Sequence, residues 1–263
     1  MDIVSSDLSY LGYREESEKG QPTGDAYGIT WKIPNNTFKK NMITGSSANN
    51  KFHHNYFGLY AYGATGMIIK ENEIFNNAQH GINLSDDSNN IIIENNMVYN
   101  NEGDGIVIAK RCFNNTIIGN TSYSNKLHGI ILDSQSSNNL VGNNVIYGNV
   151  DGVAIYDSRN NLIRNNEIRN SESGIRANAD SSGNYIEQNK ITNNKNGVFF
   201  YDNANNNFVA GNFIRNNTKG VYIKNAIGNL IKDSLKDGYN KTEIKIDDGA
   251  NADYNFIQDF RKI

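Results

Sequence analysis

Eight glycines recur along this chain at an almost constant spacing, and an apolar residue follows each of them. Successive members of the set are 22 to 24 residues apart, and they are Gly58, Gly81, Gly105, Gly129, Gly152, Gly174, Gly197 and Gly220. A fixed period of this size is typical of repeat proteins, in which one structural unit stacks on copies of itself. The spacing therefore predicts one elongated domain over residues 1–263 rather than two globular ones.

Each repeat contains three short apolar segments separated by polar turns, as residues 96–122 illustrate. The segments in this repeat lie at 96–99, 105–108 and 115–118. Each is too short for a helix and is interrupted by Asn or Gly. We therefore predict three short strands per repeat.

The segment that follows each repeated glycine shows a period of two. The residues one and three positions after the glycine are always apolar, whereas the residue between them varies. A strand with one buried face requires this alternation, so the apolar pair is predicted to point inward. The residues predicted to point outward are Tyr60, Asn83, Val107, Ile131, Ala154, Arg176, Phe199 and Tyr222.

Asparagine is the most over-represented residue, with 48 copies. Its side chain tolerates left-handed backbone and can hydrogen-bond to an identical side chain on the next coil. Two asparagine stacks are predicted. One runs through Asn76/Asn77, Asn100/Asn101, Asn125, Asn149, Asn170, Asn193/Asn194 and Asn216/Asn217, the other through Asn89/Asn90, Asn114/Asn115, Asn138/Asn139, Asn160/Asn161 and Asn206/Asn207. The sequence thus predicts an all-β, single-stranded right-handed parallel β-helix with three sheets and about 22–24 residues per coil. A β-propeller would need about forty residues per blade, and the hexapeptide repeats of a left-handed β-helix are absent.

The two ends of the chain are less regular than its middle. Residues 1–45 are predicted to form N-terminal coils with an inserted loop at about 14–25, and residues 46–231 the regular coils. Residues 232–263 are predicted to form a C-terminal cap, in which 241–246 is a terminal strand. Polar covers of this kind protect the ends of a solenoid from end-to-end association.

Composition excludes several classes of partner. The net charge is -3, so nucleic acid is not expected, and no apolar run of 18 residues could span a membrane. One cysteine, Cys112, excludes an internal disulfide. The N-terminus lacks the features of a signal peptide, so we expect either a cytoplasmic protein or one whose signal peptide is absent from this sequence. We expect a monomer.

The outward positions on successive coils mix aromatic, basic and amide side chains. Aromatic faces stack on sugar rings, while Arg and Asn bind carboxylates and hydroxyls, which suits an acidic polysaccharide. The alternative is a solvated sheet whose strand-forming residues happen to be tyrosines. The candidate substrate-binding residues are Tyr60, Tyr62, Asn83, Ser85, Asp133, Tyr156, Arg176 and Tyr201.

A second column, one residue before each glycine, alternates imidazole and carboxylate over four coils: His80, Asp104, His128 and Asp151. A carboxylate beside a histidine raises the histidine pKa and orients the ring, as general acid–base catalysis requires. Alternating charge is also a simple way to satisfy an exposed ladder. No known metal-ligand spacing is met, so no metal site is predicted.

Several segments of the chain resemble the periplasmic mannuronan C5-epimerases. They are 9–13 with 27–31, 55–60, 105–108, 124–133 and 151–156, and the resemblance covers roughly residues 5–225. It implies a right-handed parallel β-helix that acts on alginate by removing and replacing the C5 proton of a uronate. The family motif Tyr-Gly-Ile-Asp-Pro-His-Asp matches residues 80–86, where Asn83, Leu84 and Ser85 replace Asp-Pro-His and Asp86 is retained.

The resemblance places the family's carboxylate-neutralising arginine at Lys110, with Arg111 beside it. Because Ser85 is not a base near neutral pH without a partner, His80 or His128 would have to supply the imidazole. Asp86 and Asp104 would then orient the imidazoles. The resemblance also implies an extracellular or periplasmic location, with no required cofactor and room for structural calcium.

Three hypotheses follow. The chain is an epimerase or related lyase acting on a uronate polymer such as alginate, since both reactions begin with C5 proton abstraction. Alternatively, it is a non-catalytic polysaccharide-binding module, as the loss of Asp-Pro-His suggests. The third hypothesis is a structural spacer within a larger secreted protein.

Overall fold

The protein is an all-β solenoid in which three parallel sheets run along its length. Its structure, a computed structural model, describes residues 1–12, 27–32, 43–235, 239–247 and 254–258. Within these ranges there is no α-helix, and so no helix that could cross a membrane.

Successive strands of each coil belong to the three sheets in turn, and the strands named below are those within the described ranges. Sheet 1 has 11 strands: Asp2–Val4, Ser46–Ala48, Ile68–Lys70, Ile92–Glu94, Thr116–Ile118, Leu140–Gly142, Leu162–Arg164, Tyr185–Glu187, Phe208–Ala210, Leu230–Lys232 and Phe256–Gln258. Sheet 2 has nine: Asp7–Ser9, Lys51–His53, Glu73–Phe75, Met97–Tyr99, Thr121–Tyr123, Val145–Tyr147, Glu167–Arg169, Lys190–Thr192 and Phe213–Arg215. Sheet 3 has ten: Ile29–Lys32, Leu59–Tyr62, Ile82–Ser85, Ile106–Ala109, His128–Asp133, Asp151–Tyr156, Ser173–Asn178, Asn196–Tyr201, Lys219–Lys224 and Thr242–Ile246.

The register within sheet 3 follows the glycine period. Ile106 pairs with Ile82 on one side and with Ile130 on the other, one repeat away in each direction. Residues at equivalent positions therefore stack in columns, with about 4.8 Å between neighbouring coils. The three-stranded, parallel repeat predicted from the sequence is confirmed.

The core contains the inward columns of all three sheets. The residues one and three positions after each glycine, such as Ile82 with Leu84 and Ile106 with Ile108, are fully buried and belong to one continuous apolar cluster. The middle residues of most short strands in sheets 1 and 2, such as Ile93 and Val98, complete it, while Ser47 and Ser122 stand at two of these positions. The predicted inward pairs are confirmed.

Three asparagine ladders, rather than two, run along the turns. In each, the side-chain Oδ1 of one residue accepts hydrogen bonds from the preceding coil, as Asn101 does from the backbone and the side chain of Asn77 at 3.1 and 2.8 Å. The ladder missed by the sequence analysis consists of Asn50, Asn72, Asn96, Asn120, Asn144, Asn166, Asn189 and Asn212.

Two predicted ladder positions are wrong. In the second ladder Asn89 and Asn90 precede the ladder position, where the backbone N–H of Ile91 donates to Asn115 Oδ1 at 2.9 Å. In the first ladder, Asn170 has a φ of 55° and lies outside the ladder. Ser171 occupies the ladder position, and its backbone N–H donates to Asn194 Oδ1 at 2.9 Å. Asn170 instead serves the left-handed turn, like Asn76, Asn100 and Asn193. Asparagine is therefore used for two separate purposes at adjacent positions.

The ends of the solenoid are only partly described. The predicted terminal strand at 241–246 is present as Thr242–Ile246 and extends sheet 3, and Phe256–Gln258 extends sheet 1. The inserted loop predicted at about 14–25 lies outside the described residues, as do parts of the predicted C-terminal cap.

Candidate functional site

The outer face of sheet 3 carries most of the candidate residues, but on its N-terminal coils several of these side chains are buried. Tyr60, Asn83 and Ser85 are buried, so the prediction that they present an open surface is wrong. Tyr27 stacks on Tyr60 with ring centroids 4.2 Å apart. This burial raises the pKa of the Tyr60 hydroxyl well above its usual range. Tyr62, next to Ser85 in the register, is partly exposed.

His80 and His128 lie two coils apart at the start of the sheet 3 strands, with Asp104 between them. The backbone N–H of Asp104 donates to His80 Nδ1 at 3.0 Å, and Asp104 Oδ2 lies 3.1 Å from the same nitrogen. Asp104 Oδ1 accepts the backbone N–H of His128 at 2.9 Å. The predicted role of Asp104 beside an imidazole therefore has a geometric basis at His80.

Arg176 joins four side chains into one polar cluster. Its Nε donates to Asp151 Oδ2 at 2.6 Å, and its Nη1 donates to Asn178 Oδ1 at 2.7 Å and to the Tyr201 hydroxyl at 3.1 Å. Its Nη2 lies 3.1 Å from His128 Nε2. We call His128, Asp151, Arg176, Asn178 and Tyr201 the arginine cluster.

The guanidinium determines which nitrogen of His128 carries the proton. Arginine only donates hydrogen bonds, so His128 Nε2 must accept and its proton must lie on Nδ1. That Nδ1 is 3.1 Å from Asp151 Oδ2, although without good hydrogen-bond geometry. The basic lone pair of His128 is therefore occupied by Arg176.

The charges of the cluster stabilise one another in a largely buried setting. Burial would raise the pKa of Asp151, but His128 and Arg176 hold it below its usual value. Burial would lower the pKa of Arg176, but Asp151 and Tyr201 raise it overall. Asp104 behaves like Asp151: burial opposes its ionisation, and the contact with His80 outweighs burial and lowers its pKa.

Asp86, Lys110 and Arg111 directly follow the sheet 3 strands that end at Ser85 and Ala109. They therefore lie at the edge formed by the ends of the strands, opposite the edge that carries His80. Six residues of extended chain separate Asp86 from His80, which corresponds to roughly 20 Å. Lys110 pairs with Asp86 at 3.3 Å, and Arg111 pairs with Asp87 at 3.0 Å. The expectation that Asp86 orients an imidazole is therefore wrong, since its carboxylate contacts Ser85 and Lys110 instead.

Asp133 and Tyr156 follow each other at the ends of neighbouring sheet 3 strands. Burial raises the pKa of Asp133, and the nearby carboxylates of Asp104 and Asp157 raise it further. Tyr156 is exposed, with 44% of its surface accessible. These two side chains lie on the same outer face as Arg176, two residues further along the strands, in the column that contains Asn178.

Two members of the arginine cluster, Asp151 and Asn178, were absent from the predicted site. Both stood in the outward columns, one residue before and four residues after a repeated glycine. The signal that could have found them is that these two columns share one face of the sheet. A long side chain such as Arg176 can then bridge them.

The described residues offer no evident metal site. No group of three or more His, Cys, Asp or Glu residues among them is placed to hold a metal ion. The predicted room for structural calcium therefore has no acidic cluster to support it in this part of the chain.

Two family models match the chain, each over slightly less than half of it. A model described as "Right handed beta helix region" matches residues 26–146, and one described as "Periplasmic copper-binding protein (NosD)" matches residues 128–256. Copper in proteins is held mainly by imidazole and sulfur ligands. Residues 128–256 contain only His128 and neither cysteine nor methionine, so they do not fit a copper site.

Solved structures confirm the fold. The periplasmic alginate epimerase AlgG superposes with a TM-score of 0.71 at 24% identity, covering 98% of this chain and 58% of its own. The A-module of the Azotobacter vinelandii mannuronan C-5 epimerase AlgE4 gives 0.66 at 17% identity, covering 83% and 63%. A pectate lyase gives 0.52 at 16% identity, covering 86% and 68%. The chain is therefore a right-handed parallel β-helix similar to these epimerases and to this lyase.

The chain spans 58% of the length of AlgG, so it corresponds to only part of that epimerase. No curated protein matches the sequence. At these identities the likeness concerns the fold, and the activity has to be argued from the site.

Proposed function

We propose that the chain acts on a uronate-containing polysaccharide such as alginate at the arginine cluster, by abstracting the proton on C5. The observation that carries this proposal is the contact of Arg176 Nη2 with His128 Nε2, which places a cation beside a potential base. The similarity in fold to alginate epimerases and to a pectate lyase supports it. The periplasmic description of AlgG and of NosD supports a periplasmic or extracellular location.

Arg176 would bind the substrate carboxylate. A guanidinium has five N–H donors, and four contacts of Arg176 are accounted for by the arginine cluster. A uronate carboxylate could take the remaining N–H and displace the contact to His128, because the charged acceptor binds more strongly than a neutral imidazole. Lys110 and Arg111 would not serve this purpose, since they lie at the other edge of the sheet.

His128 would act as the base once its lone pair is free. The C5–H bond breaks, the proton moves to His128 Nε2, and the electron pair delocalises into the carboxylate held by Arg176. Asp151, beside Nδ1, would stabilise the imidazolium that forms. Return of a proton to the other face gives the epimer, whereas loss of the 4-O-linked sugar gives the unsaturated product of a lyase.

The test is incubation with polymannuronate in deuterated water, followed by NMR at C5. Deuterium at C5, guluronate or an unsaturated sugar would support the proposal. His128→Gln and Arg176→Ala should abolish the signal, while Arg111→Ala, a matched loss of a guanidinium at the other edge, should retain it. No exchange and no product, or equal loss in Arg111→Ala, would contradict the proposed site.

A second candidate is a non-catalytic polysaccharide-binding module. It is favoured by the burial of Asn83 and Ser85, which stand where the resemblance implies the acid and imidazole of the epimerase motif. Saturable binding of polymannuronate that Arg176→Ala weakens, without any deuterium incorporation, would select this candidate over the enzyme.

A further inference from the structure

The outer face of sheet 1 carries an apolar stripe over six successive coils. The first residue of each strand points outward, because the second is fully buried in the core, as Ile69 and Ile93 are. The register stacks these first residues in one column. The column continues through Phe208, Leu230 and Phe256. The six members that we call the apolar stripe are Ile68, Ile92, Thr116, Leu140, Leu162 and Tyr185.

The stripe carries no charge; three of its members are exposed, while Thr116, Leu140 and Leu162 are half-buried. Ile68 and Ile92 are 39% and 38% exposed, and Tyr185 is 52% exposed. Over the corresponding coils the equivalent column of sheet 2 contains Glu73 and Glu167. The stripe extends for about 24 Å at the spacing of parallel strands. Contiguous exposed apolar surface of this kind marks an interaction site.

The third residues of the same strands form a charged column beside the stripe. In coil order they are Lys70, Glu94, Ile118, Gly142, Arg164 and Glu187. The charge pattern is therefore positive, negative, neutral, neutral, positive, negative. When the column is followed in the opposite direction, each position that was positive is negative and each that was negative is positive.

These four charges form no ion-pair contact among the described residues, although Lys70 stands beside Glu94 and Arg164 beside Glu187 in the register. On other surfaces opposite charges of neighbouring coils are in direct contact, as in Lys51–Glu73, Lys126–Glu102 and Lys195–Glu172. The sheet 1 charges therefore keep hydrogen-bonding capacity for a partner surface.

We propose that two copies of the chain form a two-fold dimer by packing their sheet 1 faces against each other, with the solenoids antiparallel. The two-fold axis lies in the interface, parallel to the strands, and passes between the coils of Thr116 and Leu140. Such an axis places each column opposite the same column of the second copy and reverses the order of the coils. It therefore sets Lys70 opposite Glu187, and Glu94 opposite Arg164, twice each.

The same axis closes the apolar stripe on itself. Ile68 faces Tyr185, Ile92 faces Leu162, and Thr116 faces Leu140, each twice, between sheets about 10 Å apart. Moving the axis by half a coil is unfavourable in either direction. In one case Glu94 faces Glu187, and in the other Lys70 faces Arg164, so the charges disfavour both neighbouring registers.

Sheet 3 lies outside this interface, so the dimer leaves the arginine cluster of both copies accessible. The inference is independent of the proposed function and replaces the monomer expected from the sequence. It is tested by sedimentation velocity over a concentration series, which should show a dimer that dissociates on dilution.

Charge reversal provides the specific test. Arg164→Glu and Glu94→Arg should each raise the dimer dissociation constant at least about tenfold, because two like-charged pairs are created. The double variant should recover to within about threefold of the original protein. Lys224→Glu, an exposed charge reversal on sheet 3, is the control and should leave the dissociation constant unchanged.

Circular dichroism and thermal melting would verify that each variant is folded, which is expected at these outward positions. A monomer at all concentrations up to about 100 µM would overturn the proposal, since a specific interface of this length should be populated there. A double variant that stays as dissociated as the single variants would overturn the proposed register.

Discussion

Arg176 shows how much of this site depends on one long side chain. Its guanidinium reaches Asp151 on the preceding coil and His128 one coil further back, while it also contacts Tyr201 on the following coil. Spacing along the sequence placed these residues in two outward columns. It could not show that the columns are bridged, because the direction of a flexible side chain is decided by its surroundings.

Asp151 is expected to make folding stability depend on pH below about 4. A lowered carboxyl pKa contributes stability that is present above the unfolded-state value of about 3.9 and is lost as the pH falls through the folded-state pKa. At neutral pH the Asp151→Asn variant should therefore have a lower free energy of unfolding than the original protein. This difference should become smaller as the pH drops below about 4. Chemical denaturation at a series of pH values measures this difference.

Glu102→Gln is the control for that experiment, since Glu102 forms an exposed pair with Lys126. Its stability should stay within about 0.5 kcal/mol of the original at every pH. A difference for Asp151→Asn that is constant with pH would show that the lowered pKa of Asp151 is not the cause.

The repeated glycines are required by close approach between coils. A Cβ on Gly152 would lie 2.6 Å from the carbonyl oxygen of Gly174 and would collide with Ile168 Cγ2. Gly152→Ala should therefore lower the free energy of unfolding by about 1–3 kcal/mol, as overpacking does in cores. Gly142→Ala, where the nearest atom is Leu140 Cδ1 at 3.5 Å, should change it by less than about 0.5 kcal/mol. Equal losses in the two variants would contradict the steric explanation.

At the scale of the element, the asparagine ladders satisfy the polar groups of the turns. Asn120 Oδ1 accepts from the backbone N–H and the side chain of Asn96, both at 2.9 Å. Its Nδ2 donates to the carbonyl oxygens of Ile93 and Ile118 and to Asn144. The ladder position is fully buried, so each of these groups would lack a partner without it.

Asn120→Ala should therefore destabilise the protein by about 3 kcal/mol or more, because several buried groups lose their hydrogen bonds together. Asn120→Ser is the matched variant, since Ser171 and Ser234 stand at ladder positions in this chain. It should lose clearly less, which thermal or chemical unfolding would show. The reverse order of the two variants would contradict the ladder as the source of stability.

The sequence predicted two of these ladders and missed the third. Asn-Asn pairs, in which a left-handed asparagine precedes a ladder asparagine, are the sequence signal of these turns. The third ladder carries the same signal at 49–50, 95–96, 143–144 and 165–166. At its other coils the ladder asparagine follows residues such as Glu71, Gly119 and Gln188, so the signal recurs at only half of the coils.

Along the length of the solenoid, lysines accompany partly exposed aromatic rings on the late coils of sheet 3. Phe199 and Tyr222 stack with ring centroids 4.5 Å apart, and Lys219 lies 3.9 Å above the Tyr222 ring. An acidic polymer bound at Arg176 would therefore extend toward these coils. The early coils carry Asp104 and the closed surface around Asn83 instead.

Binding of polymannuronate should accordingly weaken as salt is added, because exposed charges are screened beyond about 10 Å at 0.1 M ionic strength. Lys219→Ala should reduce the affinity and the salt dependence. Lys110→Ala, which removes a lysine already paired with Asp86, should leave both nearly unchanged. Calorimetric titration at several salt concentrations measures both quantities, and a larger effect of Lys110→Ala would place the polymer at the other edge of the sheet.

The coil, its three strands and the columns that line the core could all be predicted from the amino-acid pattern. These features are local, since a period of two within a strand and of about 23 residues between glycines stacks equivalent residues on one another. Which polar residues meet became visible only in the folded chain. Folding separated His80 from Asp86 by the length of a strand, buried Asn83 and Ser85, and joined His128 to Arg176 across two coils. The physical reason is that columns follow from backbone periodicity, whereas contacts between them depend on side-chain length, direction and burial.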